Sequence, residues 1–144
     1  MNKLAIIVII PVLIAGVMTT AGAVNMGIIK QIESGGNSRA VSSAGARGLY
    51  QIMSITLKSY NQRHRKDYTG KDLFNGEINR KIAGWYLHQR IPAMLRYYEI
   101  PVNTKTIIWS YNAGISRCKK GVMPESTRQY IKQYRRLSNE RYDS

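Results

Sequence analysis

The nine residues Ile28-Ile29-Lys30-Gln31-Ile32-Glu33-Ser34-Gly35-Gly36 constrain this chain more than any other stretch. Ile28, Ile29 and Ile32 recur at helical spacing, so the segment reads as a short helix with one apolar face. Gly35-Gly36 ends it, because glycine enters the left-handed conformation of a helix C-terminus at no steric cost. Glu33 follows Ile29 by one turn and lies in the last turn, at the border of that face. The helix dipole is negative there and disfavours a carboxylate, and an apolar wall adds a desolvation cost of the same sign. Both raise the pKa, as a general acid at neutral pH requires. Taken by itself, the stretch is better explained by an exposed glutamate near a helix end.

The remaining acids sharpen the choice. The chain has eight: Glu33, Asp67, Asp72, Glu77, Glu99, Glu125, Glu140 and Asp143. Asp67 falls in a basic loop, Glu140 and Asp143 in the tail, and Glu99 between Tyr97-Tyr98 and Pro101. Asp72, Glu77 and Glu125 sit where helices start, which the positive end of the dipole explains without chemistry. Glu33 alone stands where the dipole opposes its charge. No phosphate loop and no serine–histidine–acid set stands out.

A chain of 144 residues with 44% hydrophobic content supports one folded domain. Its net charge of +14 predicts attraction to polyanions: nucleic acid, acidic lipid or acidic cell-envelope polymers. No zinc-finger, homeodomain or RNA-binding signature accompanies the charge, so nucleic acid is ranked low. Cys118 is the sole cysteine, which excludes an internal disulfide and a cysteine zinc cage. His64 and His88 lack companion ligands, and neither a metal nor a cofactor is implied.

Residues 1–23 read as separate from the fold. Lys3, the apolar run Leu4 to Met18 and then Ala21-Gly22-Ala23 follow the order of a secretory signal. Cleavage after Ala23 leaves about one turn of chain before Ile28. The alternative is an uncleaved membrane anchor, weakened by Pro11 and Gly16. Either way, residues 24–144 are expected outside the cytoplasm or against a membrane. Asn37 to Arg47 reads as a loop. A second helix is predicted from Gly48 to about Tyr60, with Leu49, Ile52 and Met53 on one face. Asn61 to Gly70 reads as a surface loop, with room for a short hairpin over Tyr60 to Tyr68. Asp72 opens an amphipathic helix through Ile78, Ile82, Trp85, Tyr86 and Leu87, which Pro92 must end or kink. Ala93 to Tyr98 is a further helical piece. Another helix follows Asn103 and closes at Gly114, and the last begins at Pro124-Glu125-Ser126, turning Tyr130, Ile131, Tyr134 and Leu137 inward. Trp85 and Trp109 are assigned to the core, and nothing places Tyr60, Tyr97 or Tyr98 in a binding cleft. The expectation is a single, mostly α-helical domain.

Five motifs stand in a fixed order: Glu33-Ser34; Ala44-Gly45-Ala46-Arg47-Gly48-Leu49-Tyr50-Gln51-Ile52-Met53; Asp72-Leu73-Phe74-Asn75 with Glu77-Ile78-Asn79 and Trp85-Tyr86-Leu87; Ser110-Tyr111-Asn112-Ala113-Gly114; and Glu125-Ser126-Thr127-Arg128-Gln129-Tyr130. In that order they resemble the soluble-lytic-transglycosylase (SLT) domain, a family similar in fold to goose-type lysozyme that cleaves the MurNAc–GlcNAc bond of peptidoglycan. The resemblance spans roughly Asn25 to Tyr134. It implies a lysozyme-like α-helical fold with Glu33 as the catalytic acid and Ser34 as a serine hydrogen-bonded to it. It implies that Gln51 and Met53 line the sugar cleft, that the Tyr111 hydroxyl lies near the catalytic carboxyl, and that Asn112 shapes the same wall. It makes Glu125 a second, orienting cleft glutamate. Ser38, Ser43 and Ser54 stand where proline is frequent, and Ser110 where alanine is usual. Ser126 separates Glu125 from Thr127, which are commonly adjacent in the family.

With no confident partner carboxylate for Glu33, the expected reaction uses the substrate's own 2-acetamido group and gives a 1,6-anhydro product. The rival readings are a muramidase that completes the same cleavage with water, a non-catalytic wall-binding assembly protein, and a basic nucleic-acid binder. The setting stays open; the expectation is local opening of the wall for a secretion or conjugation machine or for a virion.

Overall fold

The computed structural model describes residues 24–140, and the predicted signal or anchor segment, residues 1–23, lies outside them. Helix α1 spans Met26–Ser34. Asn25 caps it, its side-chain oxygen accepting from the Gly27 and Ile28 amides at 2.9 and 3.3 Å. The Asn25 amide in turn donates to the Tyr134 hydroxyl at 2.8 Å, so the start of α1 is fixed by the last helix as well as by its own cap. Ile28 and Ile29 are fully buried, and Gly35 closes the helix at φ 61°. The apolar face and the glycine stop are where the sequence puts them.

The next segment departs from expectation. Gly48 to Met53 is not the start of a helix. It forms a folded loop with isolated antiparallel bridges pairing Val41 with Arg47 and Arg47 with Ile52. Gly45, Gly48 and Gln51 all take positive φ, and left-handed residues so closely spaced cannot propagate a right-handed helix. Asn79, wholly buried, holds the loop. Its amide donates to the carbonyls of Arg47 (2.9 Å) and Leu73 (2.8 Å), and its oxygen accepts from the Tyr50 amide at 2.9 Å. A Cβ on Gly48 would fall onto the Leu73 carbonyl and the Asn79 amide, so this approach requires glycine.

Helix α2 starts only at Ser54 and runs to His64, past the predicted end at Tyr60 and into the stretch expected as a loop. No hairpin forms over Tyr60 to Tyr68. Tyr60 is buried, stacked on His64 with ring centroids 4.2 Å apart and edge-on to Trp85. The Asp72 segment also divides. Asp72–Phe74 is a single 3₁₀ turn, and Asn75 then caps helix α3, Gly76–Trp85, by accepting from the Glu77 and Ile78 amides.

Pro92 does not end the helical run, although the regular α-helix is interrupted just before it. Tyr86–Arg90 widens into a π turn, and the chain continues as α4, Ile91–Tyr97. The wider turn absorbs the missing proline amide and the crowding of its ring against the preceding turn. Helix α5, Thr104–Ala113, begins with a reciprocal capping box between Asn103 and Thr106 and ends at Gly114. A short α6, Ile115–Lys119, follows, and α7 spans Glu125–Glu140.

Helix α7 packs on α1 and α5, and α5 also packs on α4 and α6. Ile28, Ile29, Ile52, Leu73, Ile82, Leu87, Ile91, Leu95 and Ile108 form the fully buried centre, each stabilising the fold by about 1.5–3 kcal/mol relative to an exposed side chain. Tyr130, Ile131 and Tyr134 face inward from α7, and Trp85 is buried, all as the periodicity predicts. The domain is single and mostly α-helical. No helix among the described residues is long and apolar enough to cross a membrane.

Candidate active site

The last turn of α1 borders a cleft of about 330 Å³, and Glu33 projects into it. One wall is the loop before α2, with Ser42, Ala44, Ala46, Gln51, Ile52 and Met53. Ile55 and Thr56 of α2 and Tyr86 of the π turn continue it, and Ser110, Tyr111, Asn112 and Gly114 at the end of α5 complete it. Glu33 is the one carboxyl-bearing residue among these lining groups.

Burial raises the Glu33 carboxyl from an ordinary 4.5 to about 7, although a hydrogen bond from Tyr130 pulls the other way. That hydrogen bond comes from the α7 side. The Tyr130 hydroxyl donates to Glu33 Oε1 at 2.8 Å. Tyr130 is 7% exposed, and burial first, then the Glu33 charge, hold its hydroxyl far above its ordinary pKa. It therefore stays a donor at any pH at which Glu33 titrates. The carboxyl is thus fixed at one oxygen, and the apolar wall behind it keeps about half of it protonated near pH 7.

The other expected site residues fare differently. Ser34 does not hydrogen-bond Glu33. Its hydroxyl donates to the Leu49 carbonyl at 2.8 Å and to the Lys30 carbonyl at 3.3 Å, and accepts from the Gly36 amide. It ties the end of α1 to the cleft loop and so positions Glu33 through the backbone. Gln51 lines the cleft, and its side-chain amide donates to the Gly48 carbonyl at 3.0 Å and the Ala40 carbonyl at 3.3 Å. These bonds brace its left-handed backbone (φ 49°). Met53 is at the cleft edge, 38% exposed.

Tyr111 lines the cleft, and its hydroxyl donates to the Tyr50 carbonyl at 2.5 Å. Burial and then the Glu33 charge raise its pKa well above the ordinary value. Asn112 also lines the cleft, where its Oδ1 accepts from the buried Thr127 hydroxyl at 2.7 Å. That contact fixes the start of α7 on the end of α5.

Glu125 is not brought to the cleft. It is exposed at the start of α7, accepts from Gln129 Nε2 at 2.7 Å, and lies 3.5 Å from the Arg128 guanidinium. Two residues apart on a helix fall on nearly opposite faces. With Ser126 between them, burying Thr127 turns Glu125 outward.

Tyr130 and the polar wall of Thr56 and Tyr86 were not expected at the site. Tyr130 closes the Glu125-to-Tyr130 motif, but its helical phase reads equally well as core. Thr56 carries no signal until the true start of α2 is known. Among the described residues, no three of His, Cys, Asp or Glu converge to hold a metal. The cleft can deliver a proton from one neutral carboxyl to a leaving oxygen and take one back once that carboxyl is ionised.

The family model for the transglycosylase SLT domain matches residues 22–134, which contain every element of this cleft. No curated protein and no solved structure matches the chain. The match covers most of the chain, and the domain is single and helical as that family requires: the chain belongs to the transglycosylase SLT family.

Proposed function

We propose that this protein is a lytic transglycosylase that cleaves the MurNAc-β-1,4-GlcNAc bond of peptidoglycan, with Glu33 as its catalytic residue. One observation carries the reading: a single carboxyl, raised to about 7 by burial, in a cleft with no second carboxyl among its lining residues. The two-carboxylate schemes for glycosidases place a second acid at a defined distance from the first. With none in the cleft, the substrate's own groups take that part.

Glu33 gives its proton to the glycosidic oxygen, and the bond from that oxygen to the MurNAc anomeric carbon breaks. The 2-acetamido carbonyl oxygen of the same sugar closes on the anomeric carbon. The Glu33 carboxylate then takes the proton of the sugar's 6-hydroxyl, whose oxygen displaces the acetamido oxygen. The product is a 1,6-anhydro sugar, Glu33 is protonated again, and no water is consumed. Tyr130 suits the first step, because its hydrogen bond to Glu33 steadies the carboxylate that forms without supplying a charge.

Digestion of purified sacculi followed by mass spectrometry of the fragments tests reaction and residue together. Anhydro ends are expected from the parent protein and no release from Glu33→Gln. Ends heavier by one water would make the protein a muramidase instead, and full activity in Glu33→Gln would end the assignment. The surplus of basic residues suits an anionic cell envelope. We assign the protein to the exported side of the membrane, opening the wall locally for a secretion or conjugation machine or for an entering virion.

A further inference from the structure

The cleft does not stop at Tyr86. Helix α2 brings Ile55 and Thr56 to it and the π turn brings Tyr86, whose hydroxyl is hydrogen-bonded to the Thr56 side chain. Residues three, four and seven positions further along a helix share its face. On α2 these are Ser59, Gln62 and Arg63, and after Tyr86 they are Gln89 and Arg90. All five line a second depression, of about 590 Å³, together with the buried Trp85. At a rise of 1.5 Å per residue it prolongs the cleft by about 5–10 Å along α2.

The two halves of this groove differ in charge. Glu33 is the one ionisable acid lining the cleft, and no lysine or arginine lines it. The extension has Arg63 and Arg90 and no carboxyl. Both arginines are exposed, and neither forms an ion pair among the described residues. Arg90 also acts on the cleft: burial raises the pKa of the Tyr86 hydroxyl, and the Arg90 charge pulls it down. A guanidinium presents two parallel N–H donors that match the two oxygens of a carboxylate. The carboxamides of Gln62 and Gln89 and the Ser59 hydroxyl add neutral donors beside the pair. In peptidoglycan the glycan backbone is uncharged, and the carboxylates are carried by the peptide stems attached to MurNAc. A strand with its MurNAc at Glu33 therefore has its anionic substituents within a sugar's length of the two arginines.

We propose that the groove between α2 and the π turn is an anion-binding extension of the cleft, in which Arg63 and Arg90 take a free carboxylate of a peptide stem and so favour strands with free stem carboxylates over amidated ones. The proposal rests on the cleft being a peptidoglycan site.

Calorimetric titration of the full chain with soluble, uncrosslinked, stem-bearing glycan strands tests it. Glu33→Gln is the non-cleaving parent, and Arg63→Gln/Arg90→Gln is built on it. A second double variant, Lys132→Gln/Arg135→Gln, removes the same two charges from the exposed face of α7. The strands are used as prepared and after carbodiimide coupling to ammonia, which converts their carboxylates to amides. Removing Arg63 and Arg90 should weaken the carboxylated strands on the order of tenfold, the worth of one charge-assisted hydrogen bond. Affinity for the amidated strands should not change. Unchanged affinity for the carboxylated strands overturns the proposal. An equal loss for both strands overturns it too, as the mark of a disturbed cleft. So does an equal loss in the α7 variant, as the mark of general attraction between a basic protein and an anionic polymer. A parent that binds both strands equally well overturns the proposal and leaves the glycan reading standing. A parent that binds neither overturns the glycan reading itself.

Discussion

Two glutamates at helix ends behave as opposites. Glu33 closes α1, where the dipole opposes its charge and the core lies behind it, and burial lifts its carboxyl to about 7. Glu125 opens α7, where the dipole favours its charge, and it lies in solvent beside Arg128 and Gln129. The side chains are chemically identical. Only the helix end and the burial differ, and burial lets Glu33 hold a proton near neutral pH.

The largest separation should be in activity. Glu33→Gln is expected to lower the release of soluble fragments from sacculi by about 10²–10⁴-fold, the range of a lost general acid, while Glu125→Gln leaves it within about twofold of the parent. Equal losses in both variants would erase the contrast.

Stability comes next. Because the folded pKa of Glu33 is raised from 4.5 to about 7, the folded state holds a proton that the unfolded state has released in that window. The resulting stability is complete below about pH 4.5 and is lost as pH rises through 7. In denaturant melts the Glu33→Gln protein should therefore gain on the parent by about 3 kcal/mol between pH 4.5 and pH 8. Parallel pH curves for the two would contradict burial of the Glu33 carboxyl.

A smaller effect belongs to the tyrosine that Glu125 has no equivalent of. Tyr130→Phe removes the hydrogen bond that lowers the Glu33 pKa, so the alkaline limb of the pH–rate profile should move to higher pH. Turnover should fall roughly tenfold, as expected for one charge-assisted hydrogen bond. A shift toward acid would mean that Tyr130 does not stabilise the ionised carboxyl. The smallest change is expected for the stability of Glu125→Gln, within about 0.5 kcal/mol of the parent, because an exposed ion pair contributes little.

Much of this was legible along the chain. The isoleucine spacing and Gly35 mark α1 and put Glu33 in its last turn, because a helix writes its apolar face and its stop locally. The inward face of α7 and the capped start of α5 at Asn103 follow from the same local rules. The cleft loop was not legible, since Gly48 to Met53 carries helical spacing but is held open by Asn79, a residue more than two dozen positions away whose three hydrogen bonds override the local pattern. That the helical run continues through Pro92 was not legible for a related reason: a π turn accommodates it within a packed helix that the core already fixes.

The sequence by itself therefore determined the helical class, the family motifs and the glutamate at the end of α1, all properties of short stretches. Tertiary structure alone decided what touches that glutamate. It brought Tyr130 across 97 positions to the carboxyl, turned Ser34 away to Leu49, sent Glu125 into solvent and left the Ser110 hydroxyl unpaired in the cleft wall. Hydrogen-bond partners and desolvation depend on which helices pack together, and no local stretch of the chain encodes that.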